Sequence, residues 1–240
     1  MLHSQLLTPE NTTNDKKAQP LEQGRRVDSR DRDLQLSRRL DWRFLLPNPH
    51  LQRVAYLGPK GGTLLDALQW FSDSLTVIST TSRLPVAPGD QSLFDLVVLR
   101  SGSSAHIGKV SPLLKAGGYL YWEVDRMSRL TSLFGNTRPD GSVQSRSLTQ
   151  YQDSVAALGR LGFCDIEGYW HCPDFEGCLE LIPLNDRRVL EYFFSRTRSG
   201  FAGQLKLAAG RYLMKAGLLP GFVPCFSILA CKRVIEARAA

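Results

Sequence analysis

Four short apolar segments lie in the first half of the chain, at 54–58, 75–79, 94–99 and 118–123. Each is rich in β-branched and aromatic residues and is bounded by glycine, proline or polar residues, as strands are. Runs of this kind, separated by stretches that can form helices, are typical of parallel strands covered on both faces by crossover helices. The pattern therefore predicts an α/β fold, a three-layer sandwich around a mostly parallel sheet.

The residues that follow these segments are candidates for ligand binding, because ligands of open α/β sheets bind at the carboxyl ends of the strands. The first segment runs into a turn that contains Gly58, Gly61 and Gly62. The second segment ends at Ser79, and Arg100 follows the third. We expect these five residues to lie near one ligand crevice.

The remaining pattern predicts one domain at 29–240, preceded by a flexible arm at 1–28 that is polar and has few apolar anchors. A length of 240 residues fits one domain with extensions better than two domains. Ser29 can cap a lead-in helix at the start of the domain. Three leucines are candidate core contacts of that helix: Leu34, Leu36 and Leu40.

Later segments predict the rest of the sheet and its helices. Only about fourteen residues, 80–93, separate the second and third strand segments, and two prolines interrupt them. A helix plus a strand does not fit there, so the sheet is predicted to lack one edge strand. The other expectations are a crossover helix within 103–115, a long loop at 127–147, helices at 150–161, 187–198 and 201–215, and strands at 163–169 and 226–232.

The formal charge of +7 is concentrated at the C-terminal end, where a basic helical region is predicted. From Asp186 onward there are ten basic and three acidic residues, a difference of seven that equals the whole net charge. A basic end favours an anionic partner, such as a phosphorylated substrate or an anionic membrane, although solvated charge without a partner is equally compatible. No nucleic-acid-binding motif occurs, so a specific nucleic-acid partner is not expected.

The five cysteines are odd in number and form no Cys-x-x-Cys pair. Neither a disulfide framework nor a zinc site is indicated, and reduced thiols in a cytoplasmic protein are expected. Cys172, Cys178 and His171 come nearest to a ligand set, but their spacing matches no common metal site. Residues 1–23 lack the apolar core of a signal peptide, and the uncharged stretch 216–231 is too short to span a membrane.

The order of these segments resembles that of the class I S-adenosylmethionine-dependent methyltransferases. VAYLGPKGG at 54–62 resembles the first strand and glycine loop of that family, FDLVVL at 94–99 the fourth strand, and LLKAGGYL at 113–120 the approach to the fifth. Segments 161–169 and 224–230 resemble the sixth strand and the antiparallel seventh. The resemblance implies a Rossmann-like sheet, S-adenosylmethionine as cofactor, and methyl transfer to a small-molecule, glycan or lipid-linked acceptor.

Two positions of the chain differ from that family's pattern. Tyr56 stands where the family has an acidic residue, and the second strand ends at Ser79 without the Asp or Glu that holds the ribose. These differences favour an alternative, a catalytically inactive methyltransferase-fold protein that serves as a binding or scaffolding subunit. Lys60 in the glycine loop raises a third possibility, transfer from a nucleotide sugar or another phosphate-dependent reaction.

Methyl transfer to an oxygen needs a base near the acceptor. The residues at strand ends or in loops that could serve are Asp125, His171, Glu123 and His106. Asp125 follows the fifth family strand and His171 the sixth, so the resemblance makes these two the better-placed catalytic candidates. The segment 170–176 mixes aromatic and acidic residues, and it could line an acceptor pocket or be an ordered loop held by Trp170 and Phe175.

Overall fold

The structure is a computed structural model that describes residues 31–79, 94–100, 106–125, 150–196 and 201–234. The strands are β1 (Leu51–Leu57), β2 (Ser72–Ile78), β3 (Phe94–Arg100), β4 (Leu114–Asp125), β5 (Phe163–Cys172), β6 (Glu180–Pro183) and β7 (Cys225–Lys232). The helices are α1 (31–39), α2 (Thr63–Phe71), α3 (Ile107–Val110), α4 (Gln150–Arg160), α5 (Arg187–Ser195) and α6 (Phe201–Lys215). Short 3-10 turns lie at Asp41–Leu45, Ser111–Leu113 and Leu219–Gly221.

The strands of the described residues form one sheet in the order β2-β1-β3-β4-β7-β5-β6. β1 pairs in parallel with β2 and β3, and β3 pairs in parallel with β4. β7 lies antiparallel between β4 and β5, and β6 pairs antiparallel with β5. Strands β1 to β5 thus run in one direction, and β6 and β7 run in the other. The predicted Rossmann-like sheet, mostly parallel with an antiparallel last strand, is confirmed.

Neighbouring residues of the central strands enter two apolar layers, one on each face of the sheet. Val97 and Trp122 join the layer beneath α3 and α4, and Val98 and Tyr121 join the layer beneath α1 and α2. All four side chains are at most 1% exposed. Burial on both faces explains why these strands are continuous apolar runs rather than alternating ones, and it confirms the predicted three-layer sandwich.

The lead-in segment packs on the second of these layers. Leu36 and Leu40 are buried there, and the Trp42 ring stacks on Tyr121 with centroids 3.7 Å apart. Leu34, another predicted core contact, is instead 52% exposed. Leu36 and Leu40 are four residues apart and share one face of the helix. Leu34 is two residues from Leu36 and therefore lies on another face.

The entry into β4 differs from the prediction, which placed the strand at 118–123. β4 begins at Leu114, and the pairing with β3 passes directly from Phe94↔Leu114 to Leu96↔Tyr119. The glycine-containing turn predicted before the strand is therefore a bulge within it, where Gly117 has a φ of +73°. β6 was not predicted, because four residues are too few for a readable pattern.

Three predicted features fall on parts of the chain outside the described residues. They are the arm at 1–28, the missing edge strand at 80–93 and the loop at 127–147. Among the described strands, β2 is the edge next to β1.

Candidate functional site

Polar side chains meet at the edge of the sheet where β1, β3, β4 and β5 end and the antiparallel β7 begins. Arg100 ends β3 and lies beside Glu123 of β4, which in turn lies beside Ser227 of β7. His171 stands one residue before the end of β5. This edge, together with the loop that joins β1 to α2, is called the strand-end crevice below.

The glycine loop at 58–62 has an open half. Gly61 and Gly62 have φ values of +110° and +101°, a region that side chains rarely adopt, so the loop requires glycine there. A Cβ atom at Gly61 would meet no described atom within 4 Å, and one at Gly62 would come no nearer than 3.4 Å to Arg100. The backbone is thus accessible from solvent at the start of α2.

The first half of the same loop is closed by the chain itself. A Cβ atom at Gly58 would lie 2.5 Å from the Tyr56 hydroxyl oxygen and 3.0 Å from Cβ of Arg100. Tyr56 is fully buried, and its hydroxyl donates to the carbonyl of Pro59 at 3.3 Å. Burial raises the pKa of this phenol, which therefore remains a neutral donor. Tyr56, which stands where the family pattern has an acidic residue, thus stabilises the turn.

A buried ion pair lies beneath the crevice. Nη1 and Nη2 of Arg39 donate to the two oxygens of Glu123 at 2.7 and 2.8 Å, and both side chains are at most 2% exposed. Burial lowers the pKa of Arg39, but the Glu123 carboxylate more than offsets it, so that pKa lies above its ordinary value. Arg39 is therefore charged. Arg100 Nε adds a contact 3.7 Å from the second oxygen of Glu123.

Sequence reasoning did not find this pair, although a signal was present. Arg39 lies in the lead-in segment between Leu36 and Leu40, and Glu123 ends the strand segment at 118–123. Opposite charges in two segments that must both be buried can be accommodated only as partners. One sequence does not show, however, which charges of the two segments would meet.

His171, a predicted catalytic residue, lies inside the same cluster and is 2% exposed. Its Nε2 is 2.8 Å from the Ser227 hydroxyl and 3.4 Å from that of Tyr121. Burial, aided by the positive charge of Arg39, lowers its pKa to about 3. The imidazole is neutral at physiological pH. Its role as a base stays a prediction, and the side chain of Asp125 lies outside the described part of the chain.

Glu176 reaches the crevice from the loop between β5 and β6. Asp174 Oδ1 accepts hydrogen bonds from the backbone N–H groups of Glu176 and Gly177 at 3.0 and 2.7 Å, which fixes the loop. The Glu176 carboxylate accepts a hydrogen bond from the hydroxyl of Thr63, the first residue of α2. Its other oxygen is 3.5 Å from Nη2 of Arg100. The carboxylate thus lies at the amino end of α2.

The aromatic residues of segment 170–176 hold this loop in place. Phe175 is 5% exposed and lies against the His171 ring with centroids 4.6 Å apart. Trp170 packs edge-on against Phe193 of α5 at 5.1 Å. The structure thus matches the ordered-loop interpretation of this segment, and its acidic member Glu176 faces the crevice.

The crevice brings together four of the five predicted cofactor-site residues: Gly58, Gly61, Gly62 and Arg100. Ser79 follows β2 directly, is half-buried, and provides a hydroxyl rather than a carboxylate. The role of all five as cofactor ligands stays a prediction.

Possible metal ligands gather elsewhere. In the described part of the chain, Cys164, Asp165 and Cys231 have ligand atoms within 4.8 Å of one another, where β5 begins and β7 ends, at the sheet edge opposite the crevice. Burial raises the pKa of Cys231, which disfavours the thiolate that binds metals. The sequence set of His171, Cys172 and Cys178 forms no such group among the described residues.

Several of the solved structures that match this chain are methyltransferases. Phosphoethanolamine N-methyltransferase 2 of Haemonchus contortus, in complex with S-adenosyl-L-methionine, is 19% identical with a TM-score of 0.39, over 85% of this chain and 53% of that one. The chain thus spans about half the length of that protein. N-methyltransferase NodS of Bradyrhizobium japonicum is 12% identical with a TM-score of 0.40, over 86% and 97%. The plantazolicin methyltransferase BpumL, in complex with S-adenosylhomocysteine, is 11% identical with a TM-score of 0.42, over 90% and 92%.

These proteins are of the kind that the sequence resembles, S-adenosylmethionine-dependent methyltransferases. Every TM-score given above is under 0.5, so no activity and no residue role is carried over from these proteins. No family model matches the chain, and neither does any curated protein. None of the helices in the described ranges is long and apolar enough to cross a membrane.

Proposed function

We propose that this chain is a catalytically inactive methyltransferase-fold protein, a binding subunit whose strand-end crevice takes a ligand other than S-adenosylmethionine. The observation that carries the proposal is that Tyr56 and Arg100 pack against the first half of the glycine loop, and that the Glu176 carboxylate bonds to Thr63 at the start of α2. These side chains come from three different elements, and Tyr56 and Glu176 each interact with Arg100. A cofactor would have to displace all of them.

Charge supports the same conclusion. S-adenosylmethionine carries a positive sulfonium, which Lys60 of the loop and Arg100 at the end of β3 would repel. Glu123 is bound by both Nη atoms of Arg39 and is not available to a new cation. The described end of β2 provides Ser79 where a ribose would need a carboxylate, a difference of about ten- to a hundredfold in affinity.

The second candidate is an active S-adenosylmethionine-dependent methyltransferase that acts on a small-molecule, glycan or lipid-linked acceptor. The open half of the loop favours it, because Gly61 and Gly62 keep the positive φ angles that let a ligand approach the backbone. In that case Asp125 and His171 remain the candidate catalytic residues, and His171 would have to become accessible from a 2% exposed position.

Calorimetric titration with S-adenosylmethionine and S-adenosylhomocysteine separates the two candidates. The proposal expects no heat of binding at about millimolar ligand, which corresponds to a binding free energy weaker than about 4 kcal/mol. A dissociation constant in the micromolar range for either compound would reject the proposal and favour the enzyme.

The basic C-terminal region supports a further part of the proposal, peripheral contact with an anionic membrane. Arg211 and Lys215 of α6 are exposed, and the neighbouring Tyr212 is 70% exposed. The helix packs on α5 through Gly210, where a Cβ atom would lie 2.9 Å from the ring of Phe194. Exposed cations beside an exposed aromatic ring are typical of a helix that lies on a membrane surface. The predicted cytoplasmic location stays a prediction.

A further inference from the structure

We infer that the strand-end crevice is an anion site for a phosphate monoester, and that Glu176 occupies it as a built-in competitor. The inference rests on the proposed function, because it names the ligand class that the crevice takes instead of S-adenosylmethionine. Its three supports are the amino end of α2, an unpaired buried nitrogen of Arg39, and the imperfect fit of the Glu176 carboxylate.

The amino end of α2 is built to receive negative charge. The helix has nine residues and begins after Gly62, which has no side chain that could cap it. The first N–H groups of a helix lack partners within the helix, and the helix dipole adds a positive potential there. Thr63 adds a hydroxyl donor at the same point. Helix ends of this kind bind phosphates and carboxylates.

Arg39 supplies an independent indication of a ligand. Its side chain is 2% exposed, and its Nε is one of three buried side-chain nitrogen or oxygen atoms without a hydrogen-bond partner among the described residues. Each Nη atom donates to Glu123, so Nε is the one guanidinium nitrogen that has no hydrogen bond among the described residues. It lies 3.7 Å from Oε1 of Glu176, and it therefore faces the carboxylate at the amino end of α2. A buried donor without a partner is costly unless a ligand satisfies it.

Glu176 satisfies this site only in part. Its Oε1 lies 3.7 Å from Nε of Arg39 and 3.5 Å from Nη2 of Arg100, longer than the roughly 2.7–2.9 Å of good charge-assisted hydrogen bonds. Its side chain is 49% exposed, so it can leave the crevice for solvent. The two oxygens of a planar carboxylate cannot accept good hydrogen bonds from all three donors, the Thr63 hydroxyl, Nε of Arg39 and Nη2 of Arg100. A phosphate monoester has three terminal oxygens in a tetrahedral arrangement, one for each of these donors.

The exchange of one anion for another also keeps negative charge in the crevice. Glu123 bonds to Arg39 and lies 3.7 Å from Arg100, so Arg100 loses its other anionic neighbour when Glu176 leaves. A phosphate monoester restores that partner, and the exposed Lys60 of the glycine loop adds a further positive charge nearby. A cationic ligand would leave Arg100 with only the Glu123 carboxylate, 3.7 Å away and already bound to Arg39. The geometry and the charges thus select the same ligand class.

The test measures the affinity of the whole chain for inorganic phosphate by calorimetry, with wild type, Glu176→Gln and Arg100→Gln. Removal of the competing carboxylate in Glu176→Gln is expected to tighten phosphate binding about tenfold. Arg100→Gln is expected to weaken it at least as much. The matched controls are Glu191→Gln and Arg187→Gln, which change the same charges on exposed α5. Equal affinity in wild type and Glu176→Gln, or no phosphate binding by either, would overturn the inference.

Two further measurements are made. One separates a lipid headgroup from a soluble phosphate monoester as the ligand, and the other separates the anion inference from the proposed function. Phosphatidylcholine vesicles with and without phosphatidic acid show whether a lipid headgroup reaches the site. Retention that depends on phosphatidic acid and rises in Glu176→Gln would support the lipid source, and binding of free phosphate alone would support a soluble monoester. S-adenosylhomocysteine is titrated in parallel. If S-adenosylhomocysteine gives no heat and phosphate also fails to bind, only the anion inference is rejected. If S-adenosylhomocysteine binds, the proposed function is rejected, and so is the anion inference that rests on it.

Discussion

The two halves of the glycine loop differ in what fills the space in front of them. At Gly58 the chain packs its own Tyr56 and Arg100 against the backbone, whereas at Gly61 and Gly62 the backbone faces solvent. The same five residues thus include one glycine needed for close internal packing and two needed for their φ angles. This contrast shows that a glycine-rich loop is not evidence for a cofactor site until the neighbours of each glycine are known. It also places the accessible part of the crevice at the start of α2.

The largest effect is expected beneath the closed half, where Arg39 and Glu123 are buried. Glu123→Gln leaves the guanidinium buried without a counter-charge, so we expect a loss of about 3–5 kcal/mol in the free energy of unfolding. Arg39→Met combined with Glu123→Leu should recover most of that loss, because the hydrophobic pair needs no counter-charge. Urea denaturation measures both. As a control, Asp73→Asn in the exposed pair with His50 should cost about 1 kcal/mol or less. A loss that small for Glu123→Gln would contradict the buried pair.

The pH dependence of stability tests the same cluster through His171. Its pKa is lowered to about 3 in the folded chain, below the ordinary value of 6.5. The unfolded chain therefore binds more protons between these values, and the stabilisation present above pH 6.5 is lost as pH falls. The expected slope from this group is about 1.4 kcal/mol per pH unit.

His171→Gln should remove that part of the slope when unfolding free energies are measured between pH 7 and pH 4. His50→Gln, on the exposed surface, is the matched control. Parallel pH profiles for wild type and His171→Gln would show that the imidazole is not held neutral.

Alanine substitutions at the two kinds of glycine should differ in their coupling to Tyr56. Gly58→Ala forces a clash with the Tyr56 ring and should destabilise by about 1–3 kcal/mol. Gly61→Ala should cost a similar 1–3 kcal/mol, but from backbone strain alone.

In a Tyr56→Leu background the cost of Gly58→Ala should shrink by more than about 0.5 kcal/mol, and that of Gly61→Ala should not change. Double-mutant cycles from urea denaturation supply these values. Additivity at Gly58 would mean that Tyr56 does not close this half of the loop.

The smallest effect concerns the membrane surface at α6. Replacement of Arg211 and Lys215 by Gln should reduce retention on anionic vesicles about 30-fold, at roughly 1 kcal/mol per basic residue. Co-sedimentation at low and high salt is the measurement, and Lys109→Gln with Arg160→Gln is a control of equal charge on α3 and α4. Equal retention of wild type on neutral and anionic vesicles would reject membrane contact.

The sheet could be predicted because strands buried on both faces leave continuous apolar runs. Val97 and Val98 are buried in opposite layers, so the segment that contains them is continuously apolar and could be predicted as a strand. β6 and the bulge in β4 escaped prediction because four residues carry no period and because the bulge depends on pairing with β3.

The candidate site was predicted less completely than the sheet. Gly58, Gly61, Gly62 and Arg100 could be located from the sequence because they directly follow or end apolar strand segments. Ligands of open α/β sheets bind at that end of the strands. Arg39 and Glu176 were missed because they come from the lead-in helix and a distant loop, and only tertiary packing brings them to the crevice. The low pKa of His171 likewise arises from its burial, and the sequence does not show that this histidine is buried.

The most direct measurement of the central claim is amide NMR of the labelled chain during titration with inorganic phosphate and, separately, with S-adenosylhomocysteine. The contrast between the two halves of the loop predicts saturable shifts of the Gly61, Gly62 and Thr63 amides with phosphate, larger in Glu176→Gln, and no saturable shift with S-adenosylhomocysteine. Saturable shifts of Gly58 and Ser79 with S-adenosylhomocysteine would contradict it, because they would mean that the closed half of the loop opens to admit the cofactor.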